Sequence, residues 1–110
     1  MNTSNQNSEI RSLLIVDDDD SFRIAMKQIL SSSGRYRVRS CESGESAIEA
    51  LQQERFDVVI LDYRMGGISG LNVLQWMHEQ KIDTPVVMMT AAGSESVAVE
   101  AMKLGAYDYV

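Results

Sequence analysis

Two short apolar runs in this chain each end in acid, and that pairing restricts its fold more than any other feature. Asp57-Val58-Val59-Ile60-Leu61-Asp62 has four apolar residues in succession, three of them β-branched. Such a run suits a strand buried on both faces, as in the middle of a parallel sheet. It leads into a loop with three glycines, Tyr63-Arg64-Met65-Gly66-Gly67-Ile68-Ser69-Gly70. Earlier, Leu13-Leu14-Ile15-Val16 runs straight into Asp17-Asp18-Asp19-Asp20. In open α/β sheets ligands bind beyond the carboxyl ends of the strands, so acids at both ends stand where chemistry takes place.

Between and after these runs, strand-like and helix-like patterns alternate. Strand one is expected over about Ser12 to Asp17, then a helix from Asp20 to Ser33 with Phe22, Ala25, Met26, Ile29 and Leu30 inward. Gly34 ends it in the left-handed conformation that glycine adopts freely. Strand two, Tyr36 to Ser40, alternates Tyr36 and Val38 with Arg37 and Arg39, which marks an edge. Ser43 caps a second helix whose inner side is Ala47, Ile48 and Leu51. A third helix covers Leu71 to His78, with Leu71, Leu74 and Met77 or His78 inside. Pro85 opens strand four, Val86 to Thr90, at a position that need not donate a ladder bond. Ser94 caps a fourth helix with Val97, Ala101 and Leu104 inward; Gly105 ends it before a fifth strand, Ala106 to Val110.

This (βα)₄β alternation predicts an α/β, flavodoxin-like, doubly wound parallel sheet of order 2-1-3-4-5 with right-handed crossovers. The switch point then lies between strands one and three and brings Asp17 and Asp18 beside Asp62.

Composition fixes the setting. At 110 residues, 45% hydrophobic, the chain is one domain with a real core. Its net charge of −6 argues against direct binding of nucleic acid. The single cysteine, Cys41, precludes an internal disulfide, suits a reducing compartment and reads as a small packing residue. No apolar run reaches the ~20 residues of a membrane helix. Residues 1–10 are polar and lack signal-peptide features. The expectation is a cytoplasmic protein with a disordered polar tail at 1–10 and one domain at 11–110. His78 and Trp76 read as helix-surface residues, and Met65, Met77, Met88, Met89 and Met102 as packing.

Three carboxylates in one pocket repel one another by about 4 kcal/mol per pair at ~4 Å and an effective dielectric of ~20. A proton or a cation must offset this, and Mg²⁺ suits a few carboxylates, waters and a phosphate oxygen. One carboxylate can then serve as a nucleophile toward phosphorus. Asp19 or Asp20 instead caps the first helix. Thr90 and Tyr109 also point toward the pocket; on its own Thr90 reads equally well as a strand end, and Tyr109 reads first as edge-strand packing.

Val16-Asp17-Asp18, Asp62 after its apolar strand, Gly70, Thr90-Ala91 and Gly105-Ala106-Tyr107-Asp108-Tyr109-Val110 together resemble the receiver domain of bacterial two-component response regulators, from about Leu13 to Val110. The resemblance implies that Asp62 accepts phosphate from a sensor histidine kinase or a phosphotransfer protein. It implies Mg²⁺ held by Asp18 and Asp62, by the Arg64 backbone carbonyl and by Asp17 through water. Thr90 and Ala91 would contact the phosphoryl group, and Tyr109 would swing inward, reshaping the helix-four to strand-five surface.

The chain departs from that pattern at Gly66, usually proline, and at Ser69, often an acid; both changes are expected to loosen the loop. The pattern's lysine, two residues past Val110, and its fifth helix are absent from the chain. The alternative is therefore a receiver-like interaction module that is not productively phosphorylated. A partly bare sheet face and association into homo-oligomers are further expectations, with an output domain beyond Val110.

Overall fold

Leu14 and Val16 face one side of their strand and Leu13 and Ile15 the other, and each pair belongs to a separate apolar cluster. The structure, a computed structural model, describes residues 10–89 and 95–110. The expected tail, except for Ile10, lies outside them. The elements are β1 (Arg11–Val16), α1 (Asp20–Ser32), β2 (Tyr36–Cys41), α2 (Gly44–Gln53), β3 (Val58–Asp62), α3 (Gly70–Glu79), β4 (Val86–Met89), α4 (Glu95–Lys103) and β5 (Asp108–Tyr109). The five strands form one parallel sheet of order β2-β1-β3-β4-β5. This is the doubly wound, flavodoxin-like arrangement expected from the alternation.

The larger cluster joins Leu14, Val16, Val59, Leu61, Val86 and Met88 of the sheet to residues of α2, α3 and α4. Its sheet residues are sealed, with Leu14, Val16, Val59, Leu61 and Met88 at 0% exposure. The second cluster holds Leu13, Ile15 and Val38, covered by Phe22, Met26 and Leu30 of α1. Among the described residues α1 is the only helix packed on this face.

Three expectations change as a result. β3 is not sealed on both faces: Val59 and Leu61 are buried, while Val58 and Ile60 on the α1 side are half-buried. One helix cannot cover a sheet face of this width. On α1, Ala25 is exposed and Ile29 is 64% exposed, against the inward placement expected. The row Phe22, Met26, Leu30 meets the sheet, and the helix is rotated so that Arg23, not Ala25, shares that inner side. On α3, Val73, Leu74 and Met77 are the buried residues; Leu71 is only half-buried and His78 is exposed.

The helix starts follow local chemistry. Asp19 caps α1, accepting from the Ser21 and Phe22 amides at 2.9 and 3.3 Å. Ser43 and Ser46 form a capping box on α2. Ser69, expected to loosen its loop, forms one with Asn72 and fixes the start of α3. Gly34 and Gly105 follow α1 and α4 with φ of +75° and +99°, as expected of helix ends. The Ser94 cap lies outside the described residues. β5 is shorter than expected, yet Tyr107 and Val110 also donate to the Val86 and Met88 carbonyls, each at 2.8 Å.

Candidate functional site at the carboxyl edge of the sheet

In the β1–β3 register Val16 lies opposite Leu61, so the next residues along, Asp17 and Asp62, emerge side by side. Asp17, Asp18 and Asp62 each bring a carboxylate oxygen within 4.8 Å of the other two. Asp17 is buried, Asp62 half-buried and Asp18 exposed.

Hydrogen bonds at the strand ends set this geometry. The Asp17 amide continues the ladder to the Cys41 carbonyl at 3.1 Å. The Asp19 amide then donates to Asp17 Oδ1 at 2.9 Å, turning the chain off β1 with Asp18 between the two. The four consecutive acids thus divide: Asp17 and Asp18 enter the site, Asp19 caps α1, and Asp20 begins the helix and pairs with Arg23. At the end of β3, the Arg64 amide donates to Asp62 Oδ1 at 3.3 Å. The Tyr63 amide donates to the Met89 carbonyl at 2.9 Å, and the Gly70 amide to the Tyr63 carbonyl at 3.0 Å. A Cβ at Gly70 would collide with the Asp62 carbonyl oxygen, so only glycine lets α3 start this close to the site. Asp18, Tyr63, Arg64, Met65 and Ser69 line an open cleft of about 450 Å³.

Burial first, and then the Asp17 charge, push the Asp62 carboxyl up to about 6 against the pull of the Arg64 amide. Asp17 is also raised, chiefly by burial, with the Asp19 amide opposing. Both groups therefore resist ionising together in the absence of a cation. Three converging carboxylate oxygens, one of them open to solvent, match the hard oxygen donors that a divalent cation such as Mg²⁺ takes.

Arg64 is exposed on the loop and touches the site through its amide. Thr90 and Ala91 lie outside the described residues. Tyr109 is placed by its backbone in β5, opposite Met88; its side chain lies outside the description. Sequence reasoning missed Arg23, whose Nη1 donates to the Asp17 carbonyl at 2.7 Å. Its signal was an arginine in the first turn of an acid-capped helix, where the helix dipole disfavours a cation.

The family model of the response regulator receiver domain matches residues 13–110. The chain belongs to this family. Receiver domains are regulatory switches of two-component signalling.

This receiver domain is 37% identical over 98 residues to the C4-dicarboxylate transport transcriptional regulatory protein DctD of Pseudomonas aeruginosa, covering 89% of this chain and 21% of that protein. To the transcriptional regulatory protein FixJ of Bradyrhizobium diazoefficiens it is 35% identical over 98 residues, covering 89% of this chain and 47% of that one. The chain therefore spans less than half the length of these curated relatives. Among solved structures, the response regulator TrrA from Thermotoga maritima, in complex with Mg²⁺-BeF, superposes with a TM-score of 0.80 at 32% identity, covering 92% of this chain and 85% of that one. Vibrio cholerae chemotaxis protein CheY4 gives 0.84 at 30% identity, covering 92% and 85%. Among the described residues, no helix is long and apolar enough to cross a membrane.

Proposed function

We propose that Asp62 is the phosphoacceptor of a two-component switch, taking a phosphoryl group from a phosphohistidine on a sensor histidine kinase or phosphotransfer protein. The observation that carries this reading is the convergence of the Asp17, Asp18 and Asp62 oxygens within 4.8 Å at the ends of neighbouring strands. An Asp62 carboxylate oxygen attacks phosphorus, the phosphorus–nitrogen bond of the donor breaks, and its electron pair stays on the imidazole. The product is an acyl phosphate.

Asp18 and Asp62 would hold Mg²⁺ directly, the Arg64 carbonyl would add a ligand, and Asp17 would act through water. Bound there, the ion would offset the charge on the phosphoryl oxygens during transfer. The similarity to TrrA, a complex with Mg²⁺-BeF, supports this assignment. Asp17 keeps the site acidic, the Arg64 amide steadies one Asp62 oxygen, and the half-exposed position of Asp62 leaves it open to a donor.

Thr90 and Ala91 would meet the phosphoryl group, and Tyr109 would move with them, coupling the new charge to the α4–β5 surface. In this reading residues 11–110 are the receiver of a longer cytoplasmic transcriptional regulator, following DctD and FixJ.

Incubation with Mg²⁺ and acetyl phosphate, followed by intact mass, tests the assignment. Wild type gains one phosphoryl group and Asp62→Asn gains none. A phosphoryl group that persists on Asp62→Asn moves the acceptor elsewhere.

A further inference from the structure

Arg23 is placed where a surface arginine has no reason to be. It lies in the first turn of α1, near the positive end of the helix dipole, and its side chain is only 14% exposed. Its fork spans two segments: Nη1 donates to the Asp17 carbonyl at 2.7 Å, and Nη2 donates to Asp20 Oδ1. Glu42, just past β2, lies 3.9 Å from the same guanidinium. One planar group thus ties the end of β1 to the start of α1 and to the loop after β2.

The Asp17 carbonyl belongs to the peptide bond that joins Asp17 to Asp18. Fixing that carbonyl fixes the peptide plane from which the Asp18 side chain departs, and it backs the turn closed by the Asp19 amide on Asp17 Oδ1. We propose that Arg23 is a positioning residue for the divalent-cation site, holding the Asp17–Asp18 peptide so that both carboxylates face Asp62. The inference rests on the reading of the acidic trio as a cation site.

Two effects of Arg23 oppose each other. Its charge, close to the acids, repels an incoming cation; its hydrogen bonds preorganise the ligands. Among the described residues its ion pairs are with Asp20 and Glu42, not with the three site carboxylates, so part of its charge is already balanced. Groups that orient metal ligands typically change metal affinity by about 10- to 100-fold. Preorganisation must outweigh repulsion for Arg23 to strengthen cation binding.

Titration calorimetry of Mg²⁺ into the full chain, with Mn²⁺ as a second probe, decides the matter. Arg23→Ala is expected to bind Mg²⁺ about tenfold more weakly than wild type. Arg23→Lys keeps the charge but offers no fork for both acceptors, and falls between the two. Asp20→Asn weakens the other arm of the fork and gives a smaller loss in the same direction, which keeps the test open should Arg23→Ala unfold. Unfolding midpoints in urea separate these losses from loss of the fold.

Unchanged or tighter Mg²⁺ binding by Arg23→Ala overturns the proposal and leaves the cation site standing. Wild-type affinity in Arg23→Lys also overturns it, since the two-armed fork would then not be needed. No Mg²⁺ uptake by wild type overturns the cation site itself, and this inference with it.

Discussion

Asp57 and Ser12 lock the amino ends of β3 and β1 together at the edge of the sheet opposite the acidic site. The Ser12 amide donates to Asp57 Oδ2 at 2.7 Å, and the Asp57 amide donates to the Ser12 carbonyl at 2.8 Å. The Ser12 hydroxyl adds contacts to the same carboxylate and to the Arg55 carbonyl, each at 3.3 Å. Ser12 is buried at 8% exposure. The latch sets the β1–β3 register, and that register is what aligns Asp17 with Asp62 at the far end.

Asp57→Ala leaves the Ser12 amide without its side-chain acceptor and the Ser12 hydroxyl with the Arg55 carbonyl alone. The cost is about 1–3 kcal/mol, the range for a buried donor that loses its partner. Asp57→Asn keeps an acceptor oxygen and loses less than half of that. Urea denaturation checks both; an Asp57→Ala midpoint equal to wild type would reduce the latch to decoration.

Lys81 occupies the left-handed position after α3, with φ of 59°. The Ile82 amide bonds the Met77 carbonyl at 2.9 Å and the Lys81 amide the His78 carbonyl at 3.1 Å, the two bonds of a Schellman ending. A side chain in this conformation costs roughly 1–2 kcal/mol, which glycine avoids while gaining entropy in the unfolded chain. Lys81→Gly should therefore stabilise the chain by about 0.5–1 kcal/mol, and Lys81→Val should destabilise it. Thermal midpoints moving in opposite directions are the expected result.

The sequence disclosed what depends on local period and end chemistry. Apolar runs gave β1, β3 and β4, Ser43 gave the α2 start, Gly34 and Gly105 gave two helix ends, and the strand-end acids gave the trio. It did not disclose how α1 is rotated. The stripe Phe22, Ala25, Met26, Ile29, Leu30 allows more than one inner row, and the bond from Arg23 to the Asp17 carbonyl helps select the row that leaves Ile29 outside. Nor does a pattern mark α3 as ending at a lysine, or Ser12 and Asp57 as partners 45 residues apart. Those choices are made by tertiary contacts.

Gly70→Ala tests how tightly α3 is seated against the site. The added methyl meets the backbone oxygen of Asp62, which cannot swing aside as a flexible side chain would. Overpacking of this kind costs about 1–3 kcal/mol, and relief requires α3 or the end of β3 to shift. The variant should be less stable by about 2 kcal/mol and should take phosphate from acetyl phosphate more slowly than wild type when both are fully folded. Unaltered phosphorylation in a stable Gly70→Ala would show that Asp62 tolerates a displaced helix start.

The raised carboxyl of Asp62 makes stability depend on pH in a definite direction when divalent cations are removed. Its folded value of about 6 lies above the ordinary 3.8, so between these values the native state holds a proton that the unfolded chain has released. Stability therefore falls as pH rises from about 4 through 6 and stays reduced above that. The carboxyl is partly open to solvent, which screens the penalty to on the order of 1 kcal/mol at pH 7.5. Asp62→Asn cannot ionise, so in EDTA it should be the more stable protein at pH 7.5 and should show a flatter profile between pH 4 and 7. Millimolar Mg²⁺ should then raise the wild-type midpoint more than that of Asp62→Asn, because the ion binds the native trio. Parallel pH profiles for the two proteins in EDTA would mean that burial and the neighbouring acids do not raise Asp62 in the folded chain.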